Sequence, residues 1–255
     1  MISIISPAKT LDFDSSIPVN QSSQPDFIQE SEKIITKLKK TSRKKISNLM
    51  DLSKQLTELN YERYHNWEPE FNSNNSRQAI YAFKGDVYLG LEAYTLDQNE
   101  VGFAQEHLRI LSGLHGILRP LDLIQPYRLE MGTDLKIGRR NNLYKFWIDK
   151  IYKKLNEAIE NSGSKILLNL ASDEYFKAVD TKKIKADIAK CVFKDYKNGQ
   201  YKVLSFFAKK ARGQMARYII QNQINNLEAL KSFQTDGYLF SDDESDNNTL
   251  VFLRN

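Results

Sequence analysis

The sequence predicts an α/β (mixed α+β) fold, a mixed sheet surrounded by helices in one domain over residues 1–255. Three observations carry this expectation. Short apolar runs of strand length, Ile2-Ser3-Ile4-Ile5 and Ile166-Leu167-Leu168-Asn169-Leu170, stand between longer stretches with apolar residues at helical spacing. Asn198-Gly199, between two runs of strand character, is a two-residue hairpin signal. No Pro- or Gly-rich linker and no internal repeat divides the 255 residues, a length that one α/β domain can fill.

Taken in order, Ile2, Ile4 and Ile5 make a strand that Ser6-Pro7 ends. A polar loop over 12–24 leads to Pro25, suited to the first residue of a helix. Phe27, Ile28, Ile34, Ile35 and Leu38 follow at helical spacing. A second helix starts near Thr41 and Ser42 with Ile46, Leu49 and Met50 inward. A third opens at Ser53 as N-cap, with Leu56, Leu59 and Tyr64 inward. The Asn- and Ser-rich stretch 68–76 is a loop, and 79–93, aromatic and of mixed period, is partly helical. Residues 100–112 read as one amphipathic helix, Phe103, Leu108 and Leu111 inward, with Gly113 as a left-handed C-cap. Another helix covers 143–159 and ends at Ser162-Gly163-Ser164. Residues 165–170 are a buried strand, and 174–179 a short helix. Strands 186–196 and 200–207 flank the Asn198-Gly199 turn, and an Ala-rich helix follows over 208–224. Strands 238–240 and 250–253 bracket an acidic loop at 242–246.

The formal net charge is +5, which points toward anionic partners. Its distribution is the sharper signal. Between Lys182 and Arg217 stand eleven Lys or Arg against Asp187 and Asp195 alone. That density reads either as a polyanion surface or as a solvated basic face. The single cysteine, Cys191, allows no disulfide and lies in a strand-like run, where a small buried hydrophobe is expected. The N-terminal Met-Ile-Ser-Ile-Ile-Ser-Pro has no basic leader region, and no run approaches a membrane span. The expectation is a cytoplasmic chain, monomeric and without a membrane partner. His65, His107 and His115 are scattered without ligand spacing, so no metal and no cofactor is expected. Neither a Gly-x-Ser-x-Gly elbow nor a Ser-His-Asp arrangement is present.

Five segments hold the candidate chemistry. Ser6-Pro7-Ala8-Lys9-Thr10-Leu11 follows the first strand, and strand ends are where such sheets build sites. Lys9 there is either a phosphate clamp, with Thr10 adding a hydroxyl, or a solvent-facing lysine in a turn. In Leu111-Ser112-Gly113-Leu114-His115-Gly116-Ile117-Leu118-Arg119-Pro120, a glycine turn between two elements resembles a helix-hairpin-helix, whose backbone N–H groups bind phosphates without reading sequence. Its second reading is a helix cap followed by a strand. Arg128 and Glu130 alternate around Leu129, so both charges lie on one side as an ion pair in a cleft or at the surface. Asn169-Leu170-Ala171-Ser172-Asp173-Glu174-Tyr175 either caps the next helix or supplies a polar site at a strand's C-terminal edge. The last segment runs from Phe193-Lys194-Asp195 through the hairpin to Phe206-Phe207-Ala208-Lys209-Lys210-Ala211-Arg212-Gly213-Gln214-Met215-Ala216-Arg217-Tyr218. Lys210 and Arg217 share one helix face, and Lys209 and Arg212 make a neighbouring stripe over Ala208, Ala211 and Met215. Four cations with aromatics at each end suit a sugar-phosphate backbone.

Together these segments, with Phe240, Phe252 and Arg254, resemble the YaaA family of bacterial peroxide-stress proteins nearly end to end. The resemblance implies a single-domain α/β fold, a helix-hairpin-helix-like element beside a positive cleft, and DNA binding with little sequence preference. It also implies a role in protecting DNA and limiting free iron under peroxide stress. The Pro-Ala-Lys-Thr-Leu signature gives Lys9 added weight, whereas His115 stands where the family carries Tyr. The expected partner is duplex or branched DNA, and candidate contacts are Lys9, Thr10, Gly113, Gly116, Arg119, Arg128, Lys194, Lys209, Lys210, Arg212 and Arg217. The alternative is an enzyme acting on a nucleotide, nucleobase or nucleic acid, with Lys9, Glu130 and Ser172 as catalytic candidates. A protein-interaction module is the third class. Convergence of the polar groups in one deep pocket would favour the enzyme.

Overall fold

Short segments from both ends of the chain meet in one sheet. In the computed structural model of residues 1–255 its strands are β1 (Ile2–Ile5), β2 (Leu108–Ser112), β3 (Gly116–Leu118), β4 (Ile166–Asn169), β5 (Asp187–Lys197), β6 (Gln200–Lys202), β7 (Leu239–Ser241) and β8 (Thr249–Arg254). Their order is β7-β8-β5-β4-β1-β2-β3, with β6 paired to β5. The five strands from β8 to β2 run parallel, while β3, β6 and β7 pair antiparallel. All four residues of β1 are buried, as a strand with neighbours on both sides and helices packed on it requires. The turn between β5 and β6 has positive φ at both Asn198 and Gly199, the geometry that Asn-Gly favours.

Nine helices surround the sheet: α1 (Ile28–Lys39), α2 (Arg43–Met50), α3 (Lys54–Asn66), α4 (Ala79–Ala82), α5 (Asp86–Leu91), α6 (Gln98–His107), α7 (Leu143–Ser162), α8 (Asp173–Phe176) and α9 (Ser205–Gln221). Ser42 and Ser53 cap α2 and α3 by accepting from Lys45 N and Leu56 N. Gly163, at φ 61°, ends α7. Helix α7 packs on β1 and β3, and α9 packs on β1, β5 and α5. The last contact is backbone to backbone. A Cβ on Gly213 would stand 1.8 Å from the Val87 carbonyl oxygen, and one on Gly90 2.1 Å from that of Lys210.

The structure corrects six expectations. Residues 100–112 are not one helix: α6 ends at His107 and Leu108–Ser112 is a strand. Pairing with β1 decides this, through Ser3 to Leu108, Ile4 to Arg109 and Ile5 to Ile110, overriding a 3.6-residue period. The helix-hairpin-helix-like element is a β-hairpin, β2 to β3, and every residue from 111 to 118 is buried. Gly113 is not a left-handed cap; a Cβ there would meet the Leu129 carbonyl oxygen at 2.3 Å. In α3 the buried face is Thr57, Asn60 and Tyr64, leaving Leu56 and Leu59 exposed. The polar atoms of that face are satisfied, Thr57 by Ser53 O, Asn60 by Leu56 O and Tyr64 by Arg128 O, which removes the main cost of burying them. The first helix begins at Ile28, three residues beyond Pro25, and α9 begins at Ser205, shortening the strand expected over 200–207 to Gln200–Lys202.

Candidate anion-binding site

Strand β1 leads on toward β2 on one side, while β4 leads to β5 on the other. The chain therefore diverges beyond the carboxyl ends of β1 and β4, the place where open α/β sheets form a crevice. Two serines tie these ends together. Ser6 Oγ accepts from Ser172 N at 2.9 Å and lies 3.3 Å from Ser172 Oγ. Tyr88 on α5 donates its hydroxyl to Ser6 O at 3.2 Å. Asn169 Oδ1 accepts from Ala171 N at 2.9 Å and shapes the turn that presents Ser172. Thr10-Leu11 then pairs antiparallel with Phe83-Lys84, Thr10 opposite Lys84. Where Gly85 passes Ala8 a Cβ would come within 3.1 Å of the Ala8 Cβ.

These segments and α9 enclose a cavity of about 340 Å³. Its charged lining is Lys9, Lys84, Lys209 and Arg212 against Asp86 and Glu174, so the wall is positive. Pairing separates the four cations, because Lys9 and Lys84 each already hold a carboxylate. Glu174 Oε1 accepts from Gly132 N at 3.0 Å. Lys9 Nζ lies 2.7 Å from Glu130 Oε2, whose other oxygen is 3.1 Å from Arg128 Nη2. Lys84 is 3.5 Å from Asp12, itself paired with the buried Arg77. Arg212 has neither an ion pair nor a hydrogen bond. Burial pushes its pKa below the ordinary value, with Asp173 and Cys191 opposing more weakly. A guanidinium stays charged regardless, so Arg212 is a desolvated cation without a counter-ion in contact. An arriving anion would restore what burial removed.

Of the residues singled out in the sequence, the cavity brings together Lys9, Thr10, Ser172, Lys209 and Arg212. Arg128 and Glu130 form the expected pair one step behind Lys9. The others lie elsewhere. Lys210 pairs with Asp236 at 3.0 Å, and Arg217 donates to Leu91 O and Glu92 O at 3.1 and 3.0 Å. The two stripes of α9 thus diverge, one to the cavity and one to α5 and the chain's tail. Lys194 pairs with Glu244. Arg119 pairs with Asp122 at 3.0 Å and faces a separate hollow with Arg109 and Lys154. Gly113 and Gly116 lie against Leu129 and Trp147, and Trp147 Nε1 donates to Gly113 O at 2.9 Å. Their turn offers no open amides. Lys84, Gly85, Asp86 and Tyr88 were not singled out; Gly85 within Phe83-Lys84-Gly85-Asp86 was the only local cue to a break there.

Cys191 is buried, and burial pushes its thiol pKa well up. No group of three or more His, Cys, Asp or Glu side chains is placed to hold a metal ion. No helix is long and apolar enough to cross a membrane. A family model described as "Peroxide stress protein YaaA" matches residues 1–244. A UPF0246 protein of Aliivibrio fischeri (strain MJ11) is 54% identical over 254 residues, covering 100% of this chain and 98% of its own. A UPF0246 protein of Alteromonas mediterranea is 52% identical over 255 residues, with the same coverage.

Proposed function

Because the chain belongs to the peroxide stress protein YaaA family, we propose that it serves the response to peroxide by holding DNA through backbone phosphates, without reading sequence, in the cavity between β1, β4 and α9. The observation that carries this reading is Arg212, a half-buried guanidinium without a partner, beside the unpaired Lys209, Thr10 and the Glu130-paired Lys9 in a concave positive wall. Phosphate contacts of this kind position a protein on DNA and carry no base information. In this reading the covered DNA is protected, and any limit on free iron follows indirectly.

Binding is expected to weaken steeply with salt, by about 0.7–0.9 log units per log unit of salt for each phosphate neutralised. Arg212→Ala and Lys209→Ala should each weaken binding to all sequences alike and each reduce the slope by about that amount. Lys194→Ala and Arg119→Ala, whose cations are paired elsewhere, should leave both unchanged. Fluorescence anisotropy across a salt series makes the comparison. A slope near zero, or an Arg212→Ala variant that matches the wild type, would overturn the reading.

One observation favours an enzyme instead. A cavity of about 340 Å³ falls in the range of small-molecule sites and has room for a single nucleotide. Against nucleophilic chemistry, Ser6 and Ser172 have each other and the backbone as partners, and no histidine lines the cavity; an activated serine needs an adjacent base. Turnover of a nucleotide that both Ser172→Ala and Lys9→Ala abolish would establish the enzyme.

A further inference from the structure

We propose that Phe206, near the cavity on α9, is a stacking platform for an unpaired base, so that the preferred ligand is single-stranded DNA whose phosphates reach Lys209 and Arg212. The inference rests on the DNA-binding reading above and adds the ligand's strandedness. Helix α9 buries Ala208, Ala211, Met215, Ile219 and Ile220, yet Phe206 is 57% exposed. Its neighbour Phe207 is 40% exposed, but the Arg254 guanidinium lies 4.5 Å from its ring centroid. The two phenyl rings meet edge-on, 5.6 Å apart at 73°, so Phe207 does not stack on Phe206 and can meet at most one of its faces. No other aromatic or cation stacks on that ring.

Position connects this uncovered face to the cavity. Phe206 precedes Lys209 by three residues, about 4.5 Å along the helix axis, on adjoining parts of one face. Lys209 and Arg212 then continue toward the cavity wall. Aromatic, cation and cation thus follow one another along one stripe, the arrangement that suits alternating bases and phosphates of a single strand. The apolar neighbours in the sequence are Phe207, at the ring's edge, and the half-exposed Val203 three residues before it, but the cations that follow suit an anionic partner. The next residues along the helix face are Lys209 and Lys210. Duplex DNA keeps its base faces stacked on one another and must be unstacked, at a few kcal/mol per step, before a base can lie on the phenyl ring, whereas an unpaired base meets no such cost.

Three probes of equal length test this by fluorescence anisotropy: a single-stranded oligonucleotide, its abasic counterpart with the same phosphates, and a duplex. The wild type should bind the base-bearing strand about five- to 150-fold more tightly than the abasic strand, the range of base-aromatic stacking. Phe206→Ala should remove that advantage without changing abasic binding, and Phe206→Trp should keep it. Equal binding of base-bearing and abasic strands by the wild type would overturn the stacking role while leaving phosphate binding intact. If Arg212→Ala changes neither affinity, the DNA reading itself fails. A change of oligomeric state in Phe206→Ala, measured by sedimentation, would assign the ring to a second copy of this chain and also overturn the proposal.

Discussion

At the scale of single residues, pairing decides which cations can serve a ligand. Lys194, Lys210, Arg217 and Arg119 read in the sequence as free positive charges. Lys194, Lys210 and Arg217 are satisfied by groups from remote segments, Glu244, Asp236 and the Leu91 and Glu92 carbonyls, and Arg119 by Asp122 three residues on together with the remote Gln24 carbonyl. Charge density along a chain does not reveal such partners, whereas Lys9, Thr10, Ser172, Lys209 and Arg212 were legible because each sits at an element boundary or on a helix stripe. His115 shows the opposite case, a side chain whose chemistry burial cancels. It is fully enclosed, with Nδ1 3.0 Å from Ser31 Oγ and Nε2 without a partner, and burial pushes its pKa from 6.5 down to about 3. Between those values the unfolded chain binds a proton that the folded chain refuses. His115 therefore costs no stability above about pH 6.5 and increasingly more as pH falls toward 3, at up to about 1.4 kcal/mol per pH unit. Urea unfolding at pH 7 and pH 5 should show the wild type losing about 2 kcal/mol more than His115→Tyr. Equal losses would show that His115 is not the group responsible.

At the scale of elements, the contact between α5 and α9 matters most, because both helices wall the cavity. Gly90 and Gly213 let the two backbones touch, and a methyl at Gly213 would fall 1.8 Å from a carbonyl oxygen that has little freedom to retreat. Gly213→Ala should destabilise by at least the roughly 1–3 kcal/mol typical of overpacking and should weaken DNA binding by moving Lys209 and Arg212. Gly102→Ala, in α6 with nothing within 4 Å of the added Cβ, should be neutral or stabilising by up to about 1 kcal/mol. Thermal unfolding of both variants tests the contrast; equal effects would mean that the α5–α9 contact is looser than its geometry implies. Most elements were legible from period and punctuation, as Ser42, Ser53, Asn198-Gly199 and Gly163 show. Leu108–Ser112 was not, because Phe103, Leu108 and Leu111 satisfy a helical period, and only the β1 edge beside them converts the last five residues into a strand. The stretch from Phe83 to Tyr88 was obscured for a related reason. Its two-residue ladder exists only opposite Thr10-Leu11, and that pairing carries Lys84 and Asp86 into the site.

At the scale of the whole molecule, the site belongs to no single segment. Its lining comes from residues 6–10, 84–88, 172, 174, 175, 209 and 212, which are adjacent only after the parallel sheet has assembled around β1. The sheet joins chain ends, since β1 begins at Ile2 and β8 ends at Arg254. A ligand in this cavity therefore binds the folded state and has no comparable site on the unfolded chain, where the four segments are far apart. Linkage then makes binding visible as stability. At a free ligand concentration a hundred times Kd the gain is about 2.7 kcal/mol, or roughly 5–10 °C in Tm for a chain of this size. A single-stranded oligonucleotide should produce that shift in the wild type, less of it as salt is added, and almost none in a Lys209→Ala, Arg212→Ala double variant. Lys194→Ala, with an equally basic side chain outside the cavity, should shift like the wild type. If the double variant is stabilised as much as the parent, the oligonucleotide is held by a dispersed basic surface, and the cavity at the ends of β1 and β4 is not where DNA binds.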